Sequence, residues 1–327
     1  MGLSTLVSKK LNTLLACIYT MKLPLLTFCV LSLFSVMGCA DTSVKTQAAL
    51  GIPSGTSDKV IKRPDGWDEY WYSGKAEVNT YDFVQNRYGE DRSGDAVLVF
   101  VTEPFLPVQQ VKDDGRSSKE EAVSVLKLNR IHRFTTGIYD YSLMLSAFTP
   151  VSRNQYPHTL KTTLSAQDWC GHSWWQLNWK YGKYQAERRS YFQAEADVTS
   201  ALDGVLLEDE LPALVRLDPS LVPTGEQQVI PGAMYSALFH KMPQAQPAEI
   251  SIKEQGNGEI HLTINYPVEA RSLTYRFDET FPNQLLGWKE TLDGTMLSSA
   301  KLKHSSQQAY WGQNGRDFAY LRDTLGL

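Results

Sequence analysis

Strict alternation of polar and apolar residues is the feature that most constrains the fold of this chain. Residues 259–266 alternate, with Ile260, Leu262, Ile264 and Tyr266 as the apolar members, and residues 160–166 and 273–278 follow the same pattern. Because successive side chains of a strand point to opposite faces, each of these segments predicts a β-strand with one buried face.

Two other segments add to the β character. Ile250 and Ile252 lead through the turn-forming residues 255–258 into the alternating segment 259–266, which predicts an antiparallel hairpin. Residues 96–101 are continuously apolar and Pro104 follows them. Such a run is too short for a typical helix and suits a strand that is buried on both faces.

Helical patterns are few. One segment has helical spacing of its apolar residues, which are Leu207, Leu211, Leu214 and Val215. The acidic residues 208–210 within it would suit the positive, N-terminal end of a helix dipole. Residues 315–325 predict a second short helix. We therefore predict a mainly β (β-rich α+β) fold, with antiparallel sheets in a sandwich or a curved half-barrel and one or two short helices. A nucleotide-binding βαβ fold is excluded, since it needs a helix between successive strands.

The N-terminal region predicts export. Met21–Cys39 has Lys22, then an apolar run from Leu23 to Val36 that is short for a membrane-spanning helix, and then Gly38 directly before Cys39. Residues 36–39 resemble the lipobox of bacterial lipoproteins, whose cysteine takes a diacylglycerol and an acyl chain. Two or three acyl chains anchor a protein stably, whereas one does so marginally. We expect Met21 to be the true start and Cys39 to be lipidated.

The formal charge of the mature chain limits the kinds of partner that it can bind. The leader before Cys39 contains three lysines and no acidic residue. Of the 32 basic and 36 acidic residues of the whole chain, the mature chain therefore keeps 29 basic and all 36 acidic residues, which gives it a formal charge of −7. This charge does not favour nucleic acid or electrostatic docking on anionic lipid. In the proteobacterial lipoproteins that this chain resembles, an aspartate after the lipidated cysteine is associated with retention in the inner membrane. This chain has Ala40 at that position, so we expect it to be located at the periplasmic face of an outer membrane.

The expected organisation has three parts. Residues 1–38 form the signal segment, residues 39–66 form a lipidated flexible tether rich in Ser, Thr, Gly and Lys, and residues 67–327 form a single β-rich periplasmic domain. After removal of the leader and lipidation of Cys39, Cys170 is the only free thiol.

A tryptophan-rich segment supplies the candidate ligand-binding residues, which are Trp169, Cys170, His172, Trp174 and Trp175. A groove of Trp and Tyr side chains would suit an amphipathic ligand. Alternatively, a neighbouring imidazole could activate the Cys170 thiol, or both could bind zinc with two further ligands from His132, His158, Asp168 and Glu187, which have no recognisable spacing. The third interpretation is that all of these residues pack in the core.

No reaction motif is present: the sequence lacks phosphate-binding loops, nucleophile elbows, H-E-x-x-H and C-x-x-C. We assign no catalytic residue, metal or cofactor, and the chain is predicted to act without catalysis. The expected partners are the membrane, through the lipid, and an amphipathic ligand or another envelope component. The alternatives are an enzyme that uses Cys170 and His172 on envelope material and a purely structural interaction protein.

Five segments resemble an uncharacterised family of bacterial lipoproteins: residues 69–77, 87–90, 96–103, 169–172 and 206–211. Some members carry the automatic label "septum formation inhibitor Maf". The resemblance spans residues 67–327 and implies a family without an activity. The label's function is not carried over, because this chain lacks the Ser-x-Ser-Pro-Arg-Arg motif and the helices of true Maf nucleotide pyrophosphatases, which are cytoplasmic.

Overall fold

A computed structural model describes residues 63–118 and 121–327. The signal segment, the lipobox with Cys39 and most of the proposed tether lie outside these residues. The strands are β1 Ala76–Arg87, β2 Glu90–Leu106, β3 Val111–Lys112, β4 Val123–Thr136, β5 Tyr139–Pro150, β6 Lys161–Asp168, β7 Gly171–Lys180, β8 Lys183–Ser190, β9 Val198–Asp203, β10 Leu206–Leu207, β11 Gly225–Ile230, β12 Gln246–Glu254, β13 Glu259–Tyr266, β14 Arg271–Asp278, β15 Leu285–Leu292 and β16 Thr295–Gln308. The α-helices are α1 Trp67–Trp71, α2 Leu211–Leu217, α3 Ala233–Leu238 and α4 Leu321–Thr324. Single 3₁₀ turns cover Glu208–Glu210, Pro219–Leu221, Tyr310–Gly312 and Arg316–Phe318.

All the described strands join one sheet. Its order is β10-β11-β12-β13-β14-β15-β16-β1-β2-β4-β5-β6-β7-β8-β9, and β3 pairs with β2. The pairings are antiparallel except between β10 and β11. The sheet is open, since β9 and β10 are its two ends in this order. The β-rich, antiparallel fold class predicted from the sequence is confirmed, with a single sheet in place of the two sheets of a sandwich.

The sheet is strongly curved. Four strands separate β4 from β14, which in a flat sheet would place them about 24 Å apart. Instead, Arg130 on β4 donates from Nη1 to the hydroxyl of Tyr275 on β14 at 2.9 Å. His132 on β4 stacks on Trp288 of β15 with ring centroids 5.4 Å apart. The concave faces of distant strands are therefore within side-chain contact of each other.

The concave face holds the core. The alternating residues of β4 that point inward include Leu126, Leu128 and Phe134, and the same phase in β14 brings Leu273 and Phe277 into the same cluster. Every residue of α2 is buried, so this helix lies inside the curve of the sheet and not on its surface. Burial on this scale is the main source of stability in a fold of this kind.

Part of the convex face is covered too. Ala76, Val78, Val99 and Val101 form a separate cluster with Leu325 packed on it. Leu325 O accepts a 2.6 Å hydrogen bond from Thr80, which attaches the C-terminal segment to β1. This cover explains why residues 96–101 are apolar on both faces, as the unbroken apolar run predicts.

The predicted hairpin forms, with Glu254 opposite Ile260 and Glu249 opposite Asn265. The predicted helix near residue 211 forms as α2, but the acidic residues 208–210 precede it as a buried 3₁₀ turn. The C-terminal helix is confined to a 3₁₀ turn and α4. Among the described residues, none of the helices combines the length and the apolar character needed to cross a bilayer.

Candidate functional site

Four hairpin turns meet at one end of the sheet, which we call the upper end. Antiparallel order places the turns β1/β2, β4/β5, β6/β7 and β8/β9 at this same edge. Each turn exposes a large side chain: Tyr88 is 63% exposed, Ile138 82%, Trp169 69% and Tyr191 72%. A single exposed apolar residue is ordinary, but a continuous group of them marks a contact surface.

The aromatic residues of these turns are in contact. Tyr88 and Tyr141 share a 2.8 Å hydrogen bond between their hydroxyls, and the rings of Tyr141 and Tyr139 are 5.7 Å apart. The ring of Tyr139 is 6.5 Å from that of Trp169. Tyr191 packs against Gly171, where an added Cβ would lie 2.7 Å from its ring. We call Tyr88, Tyr139, Tyr141, Trp169 and Tyr191 the aromatic ridge; Tyr88, Trp169 and Tyr191 are exposed, Tyr139 is half-buried and Tyr141 is buried.

The structure separates the candidate residues of the tryptophan-rich segment. Trp169 and Cys170 form the exposed turn between β6 and β7, since Asp168 pairs with Gly171. Trp175 points inward and belongs to the core. His172 and Trp174 alternate with Trp175 and so lie on the convex face.

Cys170 and His172 are not joined by a hydrogen bond. The amide of Cys170 instead donates to Asp168 Oδ1 at 2.7 Å, which shapes the turn. Within residues 63–118 and 121–327, no group of three or more His, Cys, Asp or Glu side chains is arranged to hold a metal ion. The exposed member of the segment that joins other aromatic residues is Trp169.

Helix α3 closes the upper end of the concave face. It follows β11, which runs toward this end. Arg87 Nη1 donates to Leu238 O at its C-terminus, and beyond it His240 pairs with Glu195 and Lys241 with Glu269. A small cavity between α3 and the ridge is lined by Tyr141, Phe192 and Leu238, among others. The ridge and α3 thus form one continuous surface.

Beneath α3 lies a second cavity of about 30 Å³, which we call the polar cavity. Its charged members are Arg130, Glu208, Asp209, Arg271 and Glu290, and its other lining includes His132, Gly232, Tyr235 and the apolar Met234, Leu238 and Leu273. Buried charges are rare in proteins unless they are paired or functional.

Arg271 is fully paired in this cavity. It donates two hydrogen bonds to Glu208, at 2.6 and 2.8 Å, and a third from Nε to Glu290 at 2.6 Å. Tyr266 also donates to Glu208, at 2.7 Å. Burial opposes ionisation of Glu208, but the attraction of Arg271 and these hydrogen bonds lower its pKa. This part of the cavity is a closed ion-pair network.

The cavity also contains side chains with fewer hydrogen-bond partners, namely Arg130, His132 and Asp209. Arg130 Nε and His132 Nε2 have no hydrogen-bond partner among the described residues, although both side chains are more than nine-tenths buried. Asp209 accepts a 2.9 Å hydrogen bond from the Ala233 amide. Burial, together with the nearby charge of Glu208, raises the pKa of Asp209 to about 7. Burial, with the charge of Arg130, holds the pKa of His132 well below 6.5, so its imidazole is neutral near pH 7.

Sequence reasoning missed the polar cavity, although a signal was present. Arg130 and His132 occupy the same alternation phase as Leu126, Leu128 and Phe134, so a strand prediction already places them inward. Arg271 is likewise in phase with Leu273. Charged residues at inward-facing positions are a sequence-level indication of a buried polar site.

Comparisons with protein-family models, with curated proteins and with solved structures give no match for this chain. The fold and the site therefore define the class of protein on their own: an open, strongly curved antiparallel sheet, closed at one end by a short helix that lies between a polar cavity and an aromatic ridge.

Proposed function

We propose that this chain is a lipid-anchored envelope protein that binds an amphipathic ligand, without catalysis, at the upper end of its curved sheet. The observation that carries the proposal is the aromatic ridge, in which the exposed side chains of Tyr88 and Trp169 are linked through half-buried Tyr139 and buried Tyr141, with exposed Tyr191 beside them. Sequence reasoning assigned this role to the tryptophan-rich segment as a whole. Of that segment, Trp169 is the residue that the proposal retains at the surface.

The chemistry of the ridge suits a ligand that is apolar along its length and polar at its end. Tyr and Trp offer large apolar rings together with a hydroxyl or an indole N–H that can bind a polar group. Their side chains have few rotatable bonds, so little conformational entropy is lost on binding. The turns are held by paired strands on both sides, which keeps the ridge preformed.

The lipid anchor on Cys39 is part of the proposal, and it is supported by the sequence. A lipobox ending at Cys39 and the lipidated tether of residues 39–66 would hold the domain near a bilayer. Because the mature chain has a formal charge of −7, its attachment would depend on the lipid and not on attraction to anionic headgroups. The proposed location is the periplasmic face of an outer membrane.

Binding at the ridge is tested by equilibrium dialysis with radiolabelled lysophosphatidylcholine below its micelle concentration. The protein is the full chain with Cys39→Ser, which removes the acyl anchor. We expect Trp169→Ala and Tyr139→Ala each to weaken binding at least fivefold, since one stacked aromatic ring contributes about 1 kcal/mol. The matched control is Trp311→Ala, because Trp311 is also an exposed tryptophan but lies in the C-terminal segment. Equal effects of Trp311→Ala and Trp169→Ala would place binding elsewhere.

The anchor is tested by metabolic labelling with radioactive palmitate and by cell fractionation. The unsubstituted chain should incorporate label and sediment with membranes, whereas Cys39→Ser should do neither. Cys29→Ser, which changes a cysteine inside the proposed leader, is the matched control and should behave like the unsubstituted chain. Membrane association of Cys39→Ser without label would contradict a lipid anchor at this position.

A further inference from the structure

A second pocket lies at the lower end of the sheet, which is the end opposite the aromatic ridge. β1 and β4 begin there and β2 and β16 end there, because these neighbouring strands pair antiparallel. The pocket, which we call the lower pocket, has a volume of about 300 Å³. Its charged and exposed aromatic lining comprises Lys75, Glu103, Lys112, Lys127, Tyr310 and Trp311. Sites for small ligands have volumes of about 300–1,000 Å³, so the lower pocket has the size of a site for a small sugar.

The lower pocket has an excess of positive charge, although the mature chain as a whole is acidic. Lys127 pairs with Glu103 at 2.8 Å, which neutralises both side chains. Lys75 and Lys112 also line the pocket and form no salt bridge with any residue that the structure describes. Asp113 lines the adjoining hollow and reduces the excess to between one and two charges. The expected counter-charge is therefore an acidic group on a ligand.

The lower pocket also offers hydrogen-bonding groups for hydroxyls. The side chain of Glu103 is 9% exposed, and Lys127 donates to its Oε2, whereas Oε1 accepts from none of the described residues. A carboxylate oxygen that is mostly buried needs a donor, which the hydroxyl of a ligand would supply. Burial and the nearby carboxylate of Glu103 raise the pKa of Tyr310, although Lys112 opposes the rise. The Tyr310 hydroxyl therefore keeps its proton near neutral pH and can donate a hydrogen bond.

Tyr310 and Trp311 add an apolar face beside these polar groups. Their side chains are 42% and 52% exposed, and their ring centroids lie 5.3 Å apart. The face of an indole ring is electrically negative, so it attracts the weakly positive C–H groups on one side of a sugar ring. A planar aromatic acid could stack on the same ring, but it has no hydroxyl to donate to Glu103.

We propose that the lower pocket binds a sugar that carries an acidic group, either a phosphate or a carboxylate. The C–H side of the sugar packs on Trp311, the acidic group pairs with Lys75 and Lys112, and a ring hydroxyl donates to Glu103 Oε1. Two lysines suit a phosphate, which carries a charge of about −1.5 to −2 at pH 7. The site lies at the other end of β2 from the aromatic ridge and does not depend on the function proposed for the ridge.

The test is isothermal titration calorimetry of the full chain carrying Cys39→Ser, with glucose 6-phosphate and glucuronate as the probes. Glucose, which lacks the acidic group, and benzoate, which lacks the hydroxyls, are the comparison ligands. We expect an acidic sugar to bind at least fivefold more tightly than glucose or benzoate, because each exposed ion pair strengthens binding by up to about fivefold. The tighter of the two probes identifies the acidic group. Its binding should weaken when sodium chloride is raised from about 0.05 M to about 0.5 M, because salt screens exposed charges.

Variants of exposed side chains separate the contributions and leave the core of the fold unchanged. Trp311→Ala should weaken binding of the acidic sugar about fivefold through loss of the stacked ring. Lys75→Gln combined with Lys112→Gln should reduce the affinity to that for glucose. The matched control combines Lys253→Gln with Lys289→Gln, which removes two exposed lysines from β12 and β15 and should leave binding unchanged.

The proposal is overturned if neither acidic sugar binds, if glucose or benzoate binds as tightly, or if the control pair of lysine substitutions weakens binding as much as the pair in the lower pocket. Unchanged binding in Trp311→Ala would overturn it too. Lysophosphatidylcholine binding distinguishes the two sites. Trp169→Ala should lose lysophosphatidylcholine and keep the acidic sugar, and Trp311→Ala should do the reverse. A failed sugar test with lysophosphatidylcholine binding intact would reject the lower pocket alone.

Discussion

Replacement of Glu77 by Gln is expected to lower the free energy of unfolding by about 3–5 kcal/mol, the usual cost of breaking a buried ion pair. Glu77 and Arg216 have fully buried side chains, and both Nη atoms of Arg216 donate to the Glu77 carboxylate. Asn79 donates to it at 2.6 Å and Tyr70 donates as well. In Glu77→Gln the guanidinium of Arg216 would keep its 2.7 Å hydrogen bond to Pro282 O but have no counter-charge.

The measurement is urea unfolding of the full-length protein, followed by far-ultraviolet circular dichroism. The matched control is Glu187→Gln, which removes the same charge from a pair with Arg189 whose side chains are nearly half exposed. Exposed pairs contribute about 0–1 kcal/mol, so the control should change little. A loss below about 1 kcal/mol for Glu77→Gln would refute the view that this pair ties α2 to β1.

The same carboxylate makes stability depend on pH. Burial would raise the pKa of Glu77, but the charge of Arg216 and the hydrogen bonds from Arg216, Tyr70 and Asn79 outweigh it and lower the pKa below 4.5. A group with a lowered pKa in the folded state contributes stability above its unfolded pKa and loses it as the pH falls. The difference between the unsubstituted chain and Glu77→Gln should therefore shrink below about pH 4.5.

Three further predictions concern the cavity and the turn. Asp209 should affect stability in the opposite direction from Glu77 as the pH changes. Its pKa of about 7 in the folded protein exceeds its ordinary value of 3.8, so the free energy of unfolding falls as the pH rises between these values, by up to about 1.4 kcal/mol per pH unit. In urea unfolding, the free energy of unfolding of Asp209→Asn relative to that of the unsubstituted chain should therefore be higher at pH 8 than at pH 5. The same difference at both pH values would contradict the raised pKa. Gly232→Ala should destabilise by about 1–3 kcal/mol, since its Cβ would lie 2.4 Å from Glu208 Oε1, whereas Gly312→Ala meets nothing within 4 Å and should not lower the melting temperature measured by calorimetry. Equal melting temperatures for the two variants would refute the clash. Cys170 is exposed, so a maleimide should label it in the folded protein without urea, and mass spectrometry that finds the thiol unmodified would contradict its place in the turn.

Local sequence patterns determined the strands and much of their burial. The alternation in residues 259–266 and 273–278 defines β13 and β14, because the pleat of a strand sends alternate side chains to opposite faces. The turn residues 255–258 set the hairpin between β12 and β13. The apolar run 96–101 correctly indicated burial on both faces, without indicating that the C-terminal segment supplies one of the covers.

The division of the tryptophan-rich segment could not be read from composition. The turn falls at Trp169–Cys170, and this position decides that Trp175 enters the core while His172 and Trp174 face outward. A shift of one residue in the register would exchange the two faces. Composition therefore identified an aromatic zone, but the pairing of β6 with β7 decided which of its side chains reach the surface.

The polar cavity depended on tertiary structure entirely. Its charged residues come from β4, from the 3₁₀ turn before α2 and from β14 and β15, which are distant in sequence. Residues 208–210 have the composition of an exposed helix start, and nothing local distinguishes that role from their buried one. Only the curvature of the sheet brings Arg130 and Arg271 to these acids, and ion pairs strong enough to offset burial form only at that short range.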